Sequence, residues 1–356
     1  MSDIRVELTT GPKAKPKDEN AIGFGNIYTD HMFVMNYDEE RGWHDPRIVP
    51  YGDIALAPTA MCLHYGQTVF EGLKAYRGDD DSIYLFRPDK NFERLNLSCR
   101  RLCIPLLDEQ LCLEGLKKLV EVEKDWVPHV ENTSLYIRPF IISTEPHLGV
   151  KPSSSYLFII VMSPSGPYYK SGLKPVDIYV ETEYVRAVKG GMGMAKTGGN
   201  YAVSLKSQVE AEAAGFSQTL WLDGVERKYI EEVGAMNIFF VMEDEVITPM
   251  INGSILSGIT RMSVIELLKS EGYKVTERRI SIDEISDAYD MGRLKEVFGT
   301  GTAAVISPVG VLKWEDKVMA VSDGAIGPVS RHLYEELTAI QWGRKEGFPG
   351  WSVKVC

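Results

Sequence analysis

The longest apolar runs in this 356-residue chain, such as residues 156–162 and 238–242, have the length of buried strands and no more. Nothing approaches the roughly 20 apolar residues that a membrane-spanning helix needs. The chain must therefore bury its apolar surface within itself, in many short elements joined by turns. Hydrophobic residues make up 44% of it, enough for two domains with a core each. The net charge is -11. Such a chain repels phosphate backbones and anionic lipid, so nucleic acid and membrane surfaces are poor partners. No apolar stretch follows the Met-Ser-Asp start, which reads as a protein without a signal peptide, in the cytosol. Five cysteines, an odd number with no C-x-x-C pair, read as free thiols in a reducing compartment. No metal is expected.

Residues 1–20 are polar and expected to be loose at their start. Short strands and turns fill 26–87. Helices are expected over about 91–102 and 109–126, the second capped by Asp108. Strands follow at 135–143 and 156–163. Ser163-Pro-Ser-Gly-Pro-Tyr-Tyr-Lys-Ser-Gly172 is dense in Pro, Gly and Ser and marks a linker. The boundaries read as a small N-terminal domain over 1–164, an interdomain loop over 165–177 and a larger domain over 178–356. In that second half a strand is expected over 176–188 and a helix over 200–214. A hairpin on Asp223-Gly224 follows, then a helix over 258–270 stopped by Gly272. The pattern ends with a strand over 303–311 and a helix over 328–342. The fold class is α+β, with a small-molecule site expected in a cleft between the domains.

Four segments of the second half carry chemistry. Gly190-Gly-Met-Gly-Met-Ala-Lys196-Thr-Gly-Gly-Asn-Tyr201 sets a lysine among glycines, which let a backbone crowd a ligand. A lysine whose pKa is lowered is a Schiff-base nucleophile. A solvated lysine on a turn would look the same. Glu231 and Glu232 lead into an apolar strand, so one of them must point at something buried and cationic. Gly253-Ser-Ile-Leu-Ser-Gly258-Ile-Thr-Arg places free amides at a helix start, a natural anion site. Phe298-Gly-Thr-Gly301-Thr302-Ala-Ala-Val offers hydroxyls and amides in a turn. Each alone also fits an ordinary structural turn or cap. Residues 190–197 nearly spell a phosphate-binding P-loop, but Ala195 stands where that loop requires glycine, and Gly198-Gly199 break the chain where its helix should begin.

Together these segments resemble the branched-chain aminotransferases of PLP fold type IV. The resemblance covers nearly the whole chain: His64-Tyr-Gly-Gln-Thr-Val-Phe-Glu-Gly-Leu-Lys-Ala-Tyr, Leu85-Phe-Arg-Pro, Tyr136-Ile-Arg-Pro, Ala195-Lys-Thr-Gly-Gly-Asn-Tyr, Glu232-Val-Gly-Ala-Met-Asn and Gly301-Thr-Ala-Ala. It implies two α/β domains of the D-amino-acid-aminotransferase-like type, with pyridoxal 5'-phosphate in the interdomain cleft. It implies transamination of leucine, isoleucine and valine with 2-oxoglutarate by a homodimer. By resemblance, Lys196 forms the Schiff base and moves the proton. Tyr201 bonds the ring oxygen and Glu232 pairs with the pyridine nitrogen. Arg94, the amides of Ile259 and Thr260 and the Thr302 hydroxyl hold the phosphate. Thr302, Ala303 and Tyr65 hold the substrate α-carboxylate. Phe24, Phe70 and Tyr168 wall the side-chain pocket. Tyr136, Arg138 and Val150 reach the neighbouring subunit's site. Two departures stand out. The redox C-x-x-C of mammalian members is replaced by Ala304 and Ser307, and Ala235 replaces a threonine of some members. D-amino-acid aminotransferase and aminodeoxychorismate lyase share the fold and remain alternatives. A P-loop nucleotidase and a non-catalytic PLP-binding module are more distant ones.

Overall fold

The computed structural model describes residues 4–166 and 173–356. The chain divides into two compact units. The first holds Met1–Lys170, Ala195–Gly198 and Ala339–Cys356, the second Ser171–Met194 and Gly199–Thr338. The expected boundaries near 164 and 178 thus miss two exchanges: the Lys196 tetrapeptide and the C-terminal segment pack with the first unit.

The first unit is built on one mixed sheet. Its strands are β1 (Arg5–Val6), β2 (His31–Asp38), β3 (Gly42–Pro50), β4 (Thr68–Phe70), β5 (Leu73–Arg77), β6 (Ile83–Phe86), β7 (Ser134–Ser143) and β8 (Ser155–Ser165). A last strand, Ser352–Lys354, closes the edge beside β6, giving the order β1-β3-β2-β8-β7-β5-β6-C-terminal strand, with β4 also on β7. Three helices accompany it: α1 (Met61–Tyr65), α2 (Pro88–Arg101) and α3 (Glu109–Val122). Proline at the first position of α2 has the fixed φ a helix start needs. Asp108 caps α3 by accepting from the Gln110 and Leu111 amides, as its position in the sequence leads one to expect. Both longer helices bury an apolar stripe, with Phe92, Leu95 and Cys99 from α2 and Leu116, Leu119 and Val120 from α3 meeting Phe33, Phe158 and Ile160 of the sheet.

The N-terminal arm is tied down over residues 5–13. β1 pairs in parallel with β3, the Thr9 amide donates to His31 Nε2 at 2.8 Å, and the Lys13 amide donates to Asp30 at 2.8 Å. Its polar composition fits an arm exposed over most of its length, while some of its backbone groups find partners at the sheet edge.

The second unit is a second mixed sheet. Its strands are β9 (Val176–Val180), β10 (Gln218–Leu222), β11 (Ile230–Val233), β12 (Asn237–Met242), β13 (Val246–Pro249), β14 (Val275–Arg278), β15 (Leu294–Gly301), β16 (Val305–Trp314) and β17 (Lys317–Ala320). Their order is β11-β10-β9-β16-β15-β12-β13-β14, with β17 on β16. Helices α4 (Gly199–Ala202), α5 (Leu205–Ala213), α6 (Ile259–Ser270) and α7 (Ile282–Asp290) accompany it, and α8 (Pro328–Gln341) follows. The expected helix over 200–214 is thus two pieces, parted at Val203-Ser204, where the Ser204 hydroxyl donates back to the Tyr201 carbonyl. The strand expected over 176–188 ends at Val180. Asp223 heads a seven-residue loop rather than a two-residue hairpin tip, its carboxylate accepting from the amides of Val225, Glu226, Lys228 and Tyr229. Gly272 does follow α6 with φ +86°, the left-handed stop that glycine supplies. Among the described residues no helix is long and apolar enough to cross a membrane.

Candidate active site

Lys196 lies in irregular chain within the first unit, ahead of α4. Its amide donates to the Ser98 hydroxyl of α2 at 2.9 Å, and its carbonyl accepts from the Phe70 amide at 3.0 Å. The next residue is tied down too, Thr197 Oγ1 donating to the Thr68 carbonyl at 2.6 Å. The main chain is therefore fixed on both sides of the lysine, and its Nζ rests 4.8 Å from the centre of the Phe70 ring. A P-loop would put this lysine and threonine in the first turn of a helix; here both precede it.

The same ring carries the Arg138 guanidinium at 4.7 Å. Arg138 also donates to the Tyr136 hydroxyl at 2.9 Å, and Tyr136 meets Phe24 edge-on with centroids 5.0 Å apart. Phe24, Phe70, Tyr136 and Arg138 thus form one group. A side chain on Gly72 would collide with the Tyr136 hydroxyl and force that ring to move. Tyr65, at the end of α1, donates to the Leu148 carbonyl, and Val150 beyond it is 83% exposed. Tyr168 lies outside the described residues.

Arg94 projects from α2 and is buried. Its Nε and one terminal nitrogen donate to the two oxygens of Glu71 at 2.7 and 2.8 Å, a bidentate pair. Asn91 adds a third donor to Glu71 at 2.7 Å.

In the second unit Glu231 and Glu232 are both buried, where the sequence demanded only one. Glu232 Oε1 accepts from the Leu256 amide at 2.9 Å and from Asn237 at 3.4 Å, and Oε2 lies 3.1 Å from Arg186 Nε. Glu231 accepts from the Ser254 hydroxyl, and Arg186 donates to the Ser254 carbonyl. Burial pushes the Glu231 carboxyl up, against Ser254, Asn252 and Arg186. Arg186 therefore spends its charge on a pair of acids.

Ile259 and Thr260 open α6, whose cap residue Gly258 offers no side chain to the first amides. The helix dipole and these amides suit an anion. A Cβ at Gly258 would collide with Asn237 Oδ1, so the tight approach of the 256–258 turn to β12 needs glycine. Thr302 and Ala303 sit in the turn from β15 to β16, half-exposed, and Tyr201 lies in α4.

The sequence matches the family described as amino-transferase class IV over residues 68–311. The chain belongs to the class IV aminotransferases. This aminotransferase is 60% identical to "Branched-chain-amino-acid aminotransferase 2" of Bacillus subtilis, over 99% of this chain and 97% of that protein. It is 56% identical to a "Probable branched-chain-amino-acid aminotransferase" of Staphylococcus aureus, over 99% of this chain and 98% of that one. A crystal structure of the T.th. branched-chain amino acid aminotransferase complexed with N-(5'-phosphopyridoxyl)-L-glutamate superposes with a TM-score of 0.74, at 28% identity, covering 93% of this chain and all of that one.

Sequence reasoning passed over Glu71, Ser98, Arg186, Asn237 and Ser254. Glu71 carried a signal, as an acid inside the apolar stretch from Val69 to Ala75. Arg186 carried a weaker one, set among Val185, Ala187 and Val188. Nothing local marks Ser98 or Ser254.

Proposed function

We propose that this aminotransferase uses pyridoxal 5'-phosphate to exchange the amino group between L-leucine, L-isoleucine or L-valine and 2-oxoglutarate, reversibly. The observation that carries this reading is the placement of Lys196, pinned by its main chain on both sides with its amine on the face of Phe70. The names of the relatives at 54–60% identity supply the substrate class.

The residues present fit the cofactor. The uncapped amides of Ile259 and Thr260, with Arg94 and Thr302, are donors for its phosphate, and Tyr201 is the donor for its ring oxygen. Glu232 is a buried carboxylate suited to a protonated ring nitrogen. When bound, the cofactor supplies the electron sink for the charge left on the substrate Cα. Lys196 would hold the group, and its Nζ is the base that would take the substrate Cα proton and return one. A carboxylate at Glu232 would stabilise a protonated ring nitrogen. Asn237, the Leu256 amide and Arg186 keep that carboxylate aimed. Thr302, Ala303 and Tyr65 receive the substrate carboxylate, and Phe24 and Phe70 exclude water from an aliphatic side chain.

Two copies form the working enzyme; Tyr136 and Arg138, expected to serve the partner's site, pack instead on Phe24 and Phe70 of their own subunit, which leaves Val150 as the residue to reach across. Leu63, Tyr65, Leu148 and Val150 support this, being exposed apolar side chains clustered where α1 meets the 145–150 segment. Arg138 Nε, buried without a hydrogen-bond partner, is available to the distal carboxylate of 2-oxoglutarate. The enzyme works in the cytosol, a placement that cell fractionation tests.

The purified protein should be yellow. Borohydride reduction should fix the cofactor on Lys196, and L-leucine should be a substrate where D-alanine and aminodeoxychorismate are not. A colourless protein that pyridoxal phosphate cannot reconstitute refutes the reading.

A further inference from the structure

Tyr136 and Arg138 alternate along β7 and so share one face of the sheet. The Arg138 guanidinium lies 4.7 Å from the centre of the Phe70 ring and 5.3 Å from that of Tyr136. Ring faces attract a cation where water is scarce. One terminal nitrogen of Arg138 donates to the Tyr136 hydroxyl at 2.9 Å, and its Nε is buried with no acceptor. Among the described residues the Tyr136 hydroxyl, too, has no acceptor for its own proton. Each side chain therefore keeps a donor unspent. The place of that hydroxyl is set by a residue without a side chain. A Cβ on Gly72 would run into the hydroxyl oxygen and stand 3.1 Å from the ring carbon that bears it. Gly72 cannot withdraw from β7. The Glu71 amide before it donates to the Pro139 carbonyl at 2.7 Å, its own amide donates to the Glu71 carboxylate at 3.2 Å, and its carbonyl accepts from Asn91 at 3.3 Å.

We propose that Gly72 is a specificity-determining position: by leaving room for the Tyr136 hydroxyl it keeps Arg138 stored on two aromatic faces, so that one pocket admits an aliphatic side chain and still offers Arg138 Nε and the Tyr136 hydroxyl to the distal carboxylate of a dicarboxylic oxo acid. The inference rests on the reading of Arg138 above and deepens it. An aliphatic substrate meets ring carbon rather than a hydrated charge, and nothing has to be stripped of water to receive it. A carboxylate gains two hydrogen bonds, one of them charge-assisted, which offset the loss of its own water. With a Cβ at position 72 the Tyr136 ring must swing away. Arg138 then loses its hydrogen-bond partner and one of its two ring faces, while Phe70 still walls the pocket.

The test compares KM for 2-oxoglutarate and for 4-methyl-2-oxopentanoate in the purified holoenzyme, and the calorimetric Kd of two acids that cannot react, glutarate and 4-methylpentanoate. In Gly72→Ala both dicarboxylate constants should rise about tenfold, the scale of one hydrogen bond to a charged group, while the aliphatic pair moves less than about twofold. The atom in the way is the tip of a side chain, so this variant can fold with the ring displaced. Tyr136→Phe removes the hydroxyl and keeps the ring, and it should show the same split between the two classes of acid. In an Arg138→Ala background neither substitution should widen the split further, because all three act through one group. Equal changes for both classes in Gly72→Ala overturn the inference, even where Tyr136→Phe shows a split, because the seat would then not matter. If Arg138→Ala shows the split and Gly72→Ala does not, this inference alone falls; if Arg138→Ala shows none, the underlying reading of Arg138 falls with it.

Discussion

At the scale of single residues, the site is a matter of which charges are buried and what each faces. Glu232 accepts two hydrogen bonds and lies beside one arginine, and it is asked to polarise a ring nitrogen. Glu232→Gln should keep the shape but lower kcat with L-leucine by about a hundredfold to a thousandfold, the range seen when one preorganised electrostatic group is removed; wild-type turnover would reject the assignment. Lys74, in β5, shows the opposite situation. Burial pushes its amine down from its ordinary 10.5 to about 8. Below pH 8 the folded chain carries a buried ammonium, at a cost on the order of 3 kcal/mol, while above 10.5 both folded and unfolded chains are neutral and the cost vanishes. The difference between the thermal midpoints of wild type and Lys74→Met should therefore change as pH rises from 8 to 10.5, with the wild type gaining. A pH-independent gap would show that Lys74 is not a buried titrating group.

At the scale of elements, glycines decide how closely the pieces of the site approach. The start of α6 lies against Asn237, the same side chain that bonds Glu232 and the Leu256 carbonyl. Gly258→Ala would drive a Cβ into Asn237 Oδ1. It should lose about 1–3 kcal/mol by overpacking and weaken cofactor binding at the same time, read by thermal unfolding and by titration with pyridoxal phosphate. Unchanged affinity would separate the helix terminus from the phosphate. Elements with strong local signals were legible in advance: α3 from Asp108, α6 from its stop at Gly272, and the apolar strands β8 and β12. Elements whose limits depend on partners were not. β9 stops at Val180 because pairing stops there, with Glu181 turned into an acceptor for the amides of Glu183 and Tyr184.

At the scale of the whole molecule, the exposed patch of Leu63, Leu148 and Val150 predicts self-association. Leu148→Asp should shift the enzyme towards monomer in sedimentation and lower its activity; an unchanged dimer would place the interface elsewhere. Arg138→Ala should raise KM for 2-oxoglutarate more than for the branched-chain oxo acids, and equal losses would remove its role as carboxylate receptor.

The sequence by itself determined the α+β class and marked the segment around Lys196, the helix terminus at Ile259 and the acid pair that the structure places in β11. These are local signals: spacing of apolar residues, glycines where the chain must turn, and acids beside strands. Only the tertiary structure decided that Lys196 packs with the first unit, that Arg94 is bound to Glu71, that both Glu231 and Glu232 are buried around Arg186, and that the N-terminal arm lies on the sheet. It also decided that α8 is capped from a distance, by Glu296 of β15 accepting from the amides of Val329 and Ser330. In each case the partner is remote along the chain, and a buried charge or an open backbone amide declares only that it needs a partner, not which residue the fold will bring to it.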